Sequence, residues 1–429
     1  MGQKNTMLKT QLIIMNFLQF AVWGAYLTCM GIYLGNAGLG ENIGAFYAMQ
    51  GIVSIFMPAL IGSIADRWIP AQKMLGICHL IAGGAMIACF FYCQSAGDAV
   101  QFTPLYILYS ISVGFYMPTL GLTYSVAYTG LGNAGLDTVK DFPPIRVFGT
   151  VGFIVTMWLV DILGFKSTEH QFLMSGACSI ILFIYSFWLP KCPVTKNQEK
   201  KGIIDTLGLR AFSLFKQRNM AIFFLFSMML GVCLQITNGF ATPFIESFKG
   251  NPEYADSFFT QHSVILYSLS QISETLCILL IPFFMKRFGI KTVVLIALVA
   301  WVLRFGLLGT GNPGAGAWMW ILSMIVYGVA FDFFNISGSL YVDKCTSKNI
   351  RSSAQGVFLM MTNGIGATVG SFSAQTVVSA NTVDGVTDWA KCWFIFAGYA
   401  CLVAVLFALL FQEQKSRKER RLEKHHVHA

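Results

Sequence analysis

Lys191–Arg218, KCPVTKNQEKKGIIDTLGLRAFSLFKQR, carries Lys196, Lys200, Lys201, Arg210, Lys216 and Arg218 between two long series of apolar runs. Hydrocarbon cannot solvate such a stretch, so it must lie in water. Reading outward with a window of about twenty residues, the length a helix needs to cross a bilayer, finds six spans on each side. They fall at about 10–34, 43–64, 73–93, 103–128, 144–165 and 170–189 before it, and about 219–247, 260–284, 291–310, 317–341, 352–379 and 389–411 after it. Composition agrees. Of 429 residues, 55% are hydrophobic and only 11% are charged, roughly half the charged share of soluble proteins. No soluble fold of this length hides so much apolar surface.

Charge sets the expected orientation. Lys166, Lys249 and Lys391 fall in odd-to-even loops, and Arg146 and Arg304 lie within spans. About 24 of the 29 Lys and Arg lie in the termini or the even-to-odd loops, which the positive-inside rule makes cytoplasmic. The net charge of +9 is therefore a topology signal and does not point to nucleic acid. The basic tail from Lys415 to Lys424 is expected to anchor beside anionic lipid, and terminal His425, His426 and His428 to be solvated. The first run is too long for a signal peptide and is expected to be retained as a helix. The eleven cysteines are scattered through the apolar runs without paired spacing. They read as reduced, with no disulfide framework or metal site.

The two series echo each other at GSIADRWIPAQKML, Gly62–Leu75, and FFMKRFGIKTVVL, Phe283–Leu295. Each places basic residues and a turn between the second and third helices of its series. Two six-helix units joined by a basic loop are the layout of major facilitator transporters, and Gly62, Asp66 and Arg67 resemble that superfamily's loop motif. The expectation is an all-α membrane protein of that fold with twelve transmembrane helices: an N-terminal half over 1–190, a linker over 191–218, a C-terminal half over 219–414 and a tail over 415–429. Asp66 and Arg67, and Asp137 and Asp141, are expected to latch helices at the cytoplasmic end. Gly366 and Gly370 are expected to allow close helix packing.

Polar residues inside the spans fall on shared helix faces. Arg146, Thr150 and Phe153 repeat at i, i+4 and i+7, as do Tyr267, Gln271 and Glu274. Gln235 and Asn238 stand at i and i+3. Tyr327, Phe331 and Asn335 follow at i, i+4 and i+8, with Asp332 beside them. Asn16, Gln19 and Trp23 give the first span a weaker stripe. Such faces are expensive toward lipid and should point at one interior cavity. Amides and a carboxylate grip vicinal hydroxyls, and aromatic rings stack on flat ones. A nucleoside fits this chemistry, and so does a sugar. Glu274 is either a ligand and proton site or the partner of Arg146 in a structural ion pair. Asp332 is a second proton-coupling residue or a structural one. Arg304, His79 and His262 read as locally satisfied. No catalytic cluster and no GxxxxGK[ST] loop occurs, so neither an enzyme nor direct ATP drive is expected. No cofactor is expected either.

At these residues the sequence resembles the bacterial nucleoside:proton symporter family. The resemblance rests on Asp141–Arg146 (DFPPIR), Leu234–Asn238 (LQITN), Gln271–Thr275 (QISET) and Tyr327–Asn335 (YGVAFDFFN), and extends from Phe17 to Tyr399. It implies import of purine and pyrimidine nucleosides driven by protons across the inner membrane. It also implies a binding site of Arg146, Thr150, Phe153, Gln235, Asn238, Gln271, Glu274, Tyr327 and Phe331, and a monomeric carrier in the bilayer. The family includes a xanthosine-specialised branch, which no residue here excludes.

Overall fold

The computed structural model describes residues 2–193, 209–278, 280–346 and 351–412. Most of the linker, the basic tail with its histidines, and the side chains of Asp66 and Arg67 lie outside the described residues. Helices account for the architecture: α1 (Gly2–Gly24), α2 (Met30–Asn36), α3 (Ile43–Arg67), α4 (Ala71–Ala96), α5 (Phe102–Asn133), α6 (Thr138–Ile162) and α7 (His170–Tyr185) come first. Then follow α8 (Arg218–Ser247), α9 (Ser263–Ile278), α10 (Ile281–Thr310), α11 (Ala317–Cys345), α12 (Arg351–Leu359), a π-helical stretch Met360–Gly366, α13 (Ala367–Ala380) and α14 (Trp389–Leu410). A two-residue hairpin, Thr382–Val383 with Val386–Thr387, joins the last two.

Among the described residues, ten helices are long and apolar enough to cross a membrane. The two remaining predicted spans are interrupted. The first stops at Gly24, where an added Cβ would lie 2.4 Å from the carbonyl oxygen of Phe153 on α6. After an irregular turn it resumes at Met30 as α2. The eighth ends as α9 at Ile278, and its expected continuation belongs to α10, which breaks at Gly289 with φ 74°. That left-handed backbone is open to glycine and strained for most other residues. The eleventh span is continuous but under-wound through its π stretch, a frequent feature of functional sites.

Helices before the linker pack chiefly on one another: α1 against α6 and α7, α4 against α5 and α7, α3 against α5. After it, α10 packs on α11 and α14, α9 on α11, and α8 on the π stretch and α13. The expected close packing at Gly366 and Gly370 is present. A Cβ there would lie 2.4 Å from Met228 O and 2.6 Å from Val232 O, so α8 rests directly on backbone.

The two groups meet through α3 with α13, α6 with α9, and α2 with α8. The hydrogen bonds between them cluster at the end of the bundle opposite the chain termini. There Gly44 N donates to Gln375 Oε1 at 2.8 Å, Trp158 Nε1 donates to Ser268 Oγ at 2.8 Å, and the Thr242 hydroxyl donates to Thr28 O. Near the termini, Lys9 pairs with Asp141 at 2.6 Å, tying α1 to α6 within the first group.

Candidate functional site

On α6 the guanidinium of Arg146 lies 3.9 Å above the ring of Phe20, and its Nε donates to the Tyr124 hydroxyl at 3.1 Å. Phe153 is buried edge-on against Trp23 of α1, ring centroids 6.3 Å apart. Thr150 lies between them, half-buried, with no hydrogen bond from its hydroxyl to any described residue. Arg146 and Phe153 thus both meet aromatic residues of α1, and Arg146 is held by residues of its own helix group.

The second group supplies the amides. Asn238 Nδ2 donates to Gln235 Oε1 at 3.2 Å, and Asn238 Oδ1 accepts from the Tyr267 hydroxyl at 3.1 Å. That orients both amides from α9. Gln271 and Glu274, one turn apart on α9, are half-buried, and their side chains bond no described residue. The direct ion pair of Glu274 with Arg146, one of the two expected roles, is absent. Stacking on Phe20 and the bond to Tyr124 keep the guanidinium back, and the two charges interact only at longer range.

On α11, Tyr327 and Phe331 stack nearly parallel, centroids 5.7 Å apart at 8°. Asp332 is turned off that face, as the helical angle requires, yet lies within electrostatic range of both Glu274 and Arg146. It is 3% exposed, and its Oδ2 carries no hydrogen bond. Beside Phe331, a crevice is lined by Leu234, Trp301, Asn335 and Asn363. Trp301 and Asn363 are lining residues that the helical faces alone do not single out.

Four polar residues of the spans have other settings. Gln19 is completely buried in a network with Thr119, Thr123 and His79. His79 is satisfied on both ring nitrogens, by Ser179 and Gln19, each at 2.8 Å. Asn16 bonds its own helix at Leu12 O. The stripe on the first helix thus packs the first group, with only Trp23 reaching Phe153. Arg304 is completely buried and, among the described residues, pairs with no carboxylate. Its charge within an apolar run was visible in sequence, but its surroundings were not.

A charged cluster seals the end opposite the termini. Lys166 pairs with Asp161 at 3.0 Å and Glu246 at 2.9 Å, and donates to Gln261 O. Asp161 also accepts from the backbone amides of Val264 and Ile265 and from His262 Nδ1. The carboxylate at the C-terminal end of α6 thus caps the N-terminus of α9, where helix dipole and free amides favour negative charge. Lys249 pairs with Glu246 as well. Two of the three basic residues that depart from the positive-inside pattern are therefore neutralised in the fold.

The chain has matching relatives along nearly its whole length. The Nucleoside H+ symporter family model matches residues 6–416. The nucleoside permease NupG of Escherichia coli is 49% identical over 96% of this chain and 97% of its own length. The xanthosine permease of the same organism is 47% identical over 94% and 95%. A crystal structure of a mutant of the nucleoside transporter NupG superposes with a TM-score of 0.88 at 47% identity, covering 94% of this chain and 100% of that one. A D-xylose-proton symporter shares the fold at TM-score 0.69 and 14% identity, over 94% of this chain and 98% of its own. On this evidence the chain belongs to the nucleoside H+ symporter family, as a transporter of the major facilitator fold and not an enzyme.

Proposed function

We propose that this protein imports nucleosides together with protons, and that the ligand binds between the two helix groups where α6, α8, α9 and α11 converge. The observation that carries the assignment is the free polar surface gathered there. Thr150, Gln271 and Glu274 have no side-chain hydrogen-bond partner among the described residues, while Gln235 and Asn238 are pre-oriented by Tyr267. The amides and Glu274 take the ribose hydroxyls and base edges, and Phe153, Tyr327 and Phe331 pack on the base. Arg146 balances negative charge across the cavity. Glu274 and Asp332 are the proton-coupling residues, and Asp332 Oδ2 can accept a proton without breaking a hydrogen bond.

Both termini lie on the cytoplasmic face of a bacterial inner membrane, in keeping with the basic loops. The sealed end then faces outward, and residues 1–190 and 219–414 act as two halves that rock about the site as a monomer. Uptake of radiolabelled uridine and adenosine into cells expressing the chain tests this. Accumulation is expected to be greater at acidic than at neutral pH, because a higher outside proton concentration loads the carrier, and to collapse with a protonophore. A chain present in the membrane that takes up neither nucleoside sinks the assignment. The 47% identity to a xanthosine permease makes xanthosine the second ligand to test, and competition by free sugars alone would indicate the sugar reading.

A further inference from the structure

We propose that Arg304 is a positioning residue of the nucleoside site, a buried cation that never meets the ligand yet fixes the groups that do. This rests on the nucleoside reading of the same site. Arg304 lies on α10, is completely buried, and is anchored by Nη1, which donates to Ser323 O at 2.7 Å and to Ser270 Oγ at 3.3 Å. Ser323 answers by donating to Arg304 O at 3.0 Å. These bonds tie α10 to α11 and α9. Nε and Nη2 have no acceptor in hydrogen-bonding geometry among the described residues. In place of an acceptor, the guanidinium carbon stands 4.7 Å from the centroid of the Tyr327 ring and 5.6 Å from that of Tyr267. Burying an unpaired guanidinium is expensive unless something replaces its hydration, and aromatic faces do so most effectively where water is excluded.

Those two tyrosines lead into both arms of the site. Tyr327 stacks on Phe331, forming the aromatic arm. Tyr267 donates to Asn238, which in turn donates to Gln235, forming the amide arm. One cation therefore sets the ring plane used for stacking and the orientation of the amides.

The test measures equilibrium binding of tritiated uridine and adenosine to the purified full chain, with nucleoside exchange in proteoliposomes and thermal unfolding in parallel. Arg304→Gln is expected to raise Kd and KM about tenfold with little change in kcat or unfolding temperature, and Arg304→Lys to restore affinity to within about threefold. Parental affinity in Arg304→Gln overturns the inference. So does an equal loss of affinity in the Lys variant while it stays folded, because the charge would then be irrelevant. If Arg304→Gln does not fold, Ser270→Ala decides, since it loosens the guanidinium without removing it. A two- to threefold weaker affinity supports the role, and an unchanged one ends it. A parent chain that binds no nucleoside would instead refute the proposed function, a separate result.

Discussion

Asp332 combines features rarely found together in a packed interior. It is 3% exposed, one carboxylate oxygen lacks a hydrogen bond, and Glu274 and Arg146 lie within electrostatic range. Acids in such places mark proton paths in transporters. The coupling role predicts that Asp332→Asn abolishes concentrative uptake, leaving it at the level of parent cells treated with protonophore. Binding by the purified variant should stay within about threefold of parent, since Asp332 lies off the Tyr327–Phe331 face. Uptake that still rises with acid in this variant would move the proton to Glu274. In sequence Asp332 is only a carboxylate beside a motif; its unpartnered oxygen depends on which helices surround it.

At the scale of elements, the sealed end is held by a small number of charged contacts. Lys166 serves two carboxylates that come from α6 and α8, and the α6 carboxylate also caps α9. Removing one partner of a buried ion pair leaves the others uncompensated, a loss of about 3–5 kcal/mol. Lys166→Met is thus expected to lower the unfolding temperature by several degrees. It should also open this end. Cys29 lies beneath the cluster, its Sγ bonded to Gln171, whose amide in turn donates to Lys166 O. Labelling of Cys29 by a membrane-impermeant thiol reagent, scored against a Cys29→Ser control, should increase in the variant. Unchanged labelling and stability would show the cluster to be incidental. The interrupted first and eighth spans belong to this scale as well. Hydropathy reports a continuous apolar run, whereas the close approach of Gly24 to α6 and the φ of Gly289 depend on neighbouring backbone.

At the scale of the whole molecule, the proposed site falls between two groups of helices whose mutual hydrogen bonds cluster at one end. If transport requires that end to part, cross-linking it must stop the cycle. Trp158 on α6 and Ser268 on α9 meet across that end at 2.8 Å, so cysteines at these two positions lie within the reach of a short bifunctional thiosulfonate reagent. The pair Trp158→Cys and Ser268→Cys is expected to lose about nine-tenths or more of uptake when bridged by that reagent and to regain it with reductant, by the alternating-access argument. Full transport by the cross-linked protein would exclude rocking at this interface.

Membrane character, the placement of ten of the apolar runs and the helical spacing of the polar residues Arg146, Gln235, Gln271, Glu274 and Tyr327 were legible in the sequence, because hydrocarbon excludes charge and helical periodicity is local. The family was legible too, in the long stretches around Asp141–Arg146 and Tyr327–Asn335. Other features emerge only when helices distant in sequence are brought together. Arg146 rests on Phe20 instead of pairing with Glu274, and Arg304 finds two tyrosines in place of a carboxylate. Lys166, Asp161, Glu246 and His262 close one end of the bundle. Which partner satisfies a buried charge depends on packing between helices, and local periodicity carries no information about that choice.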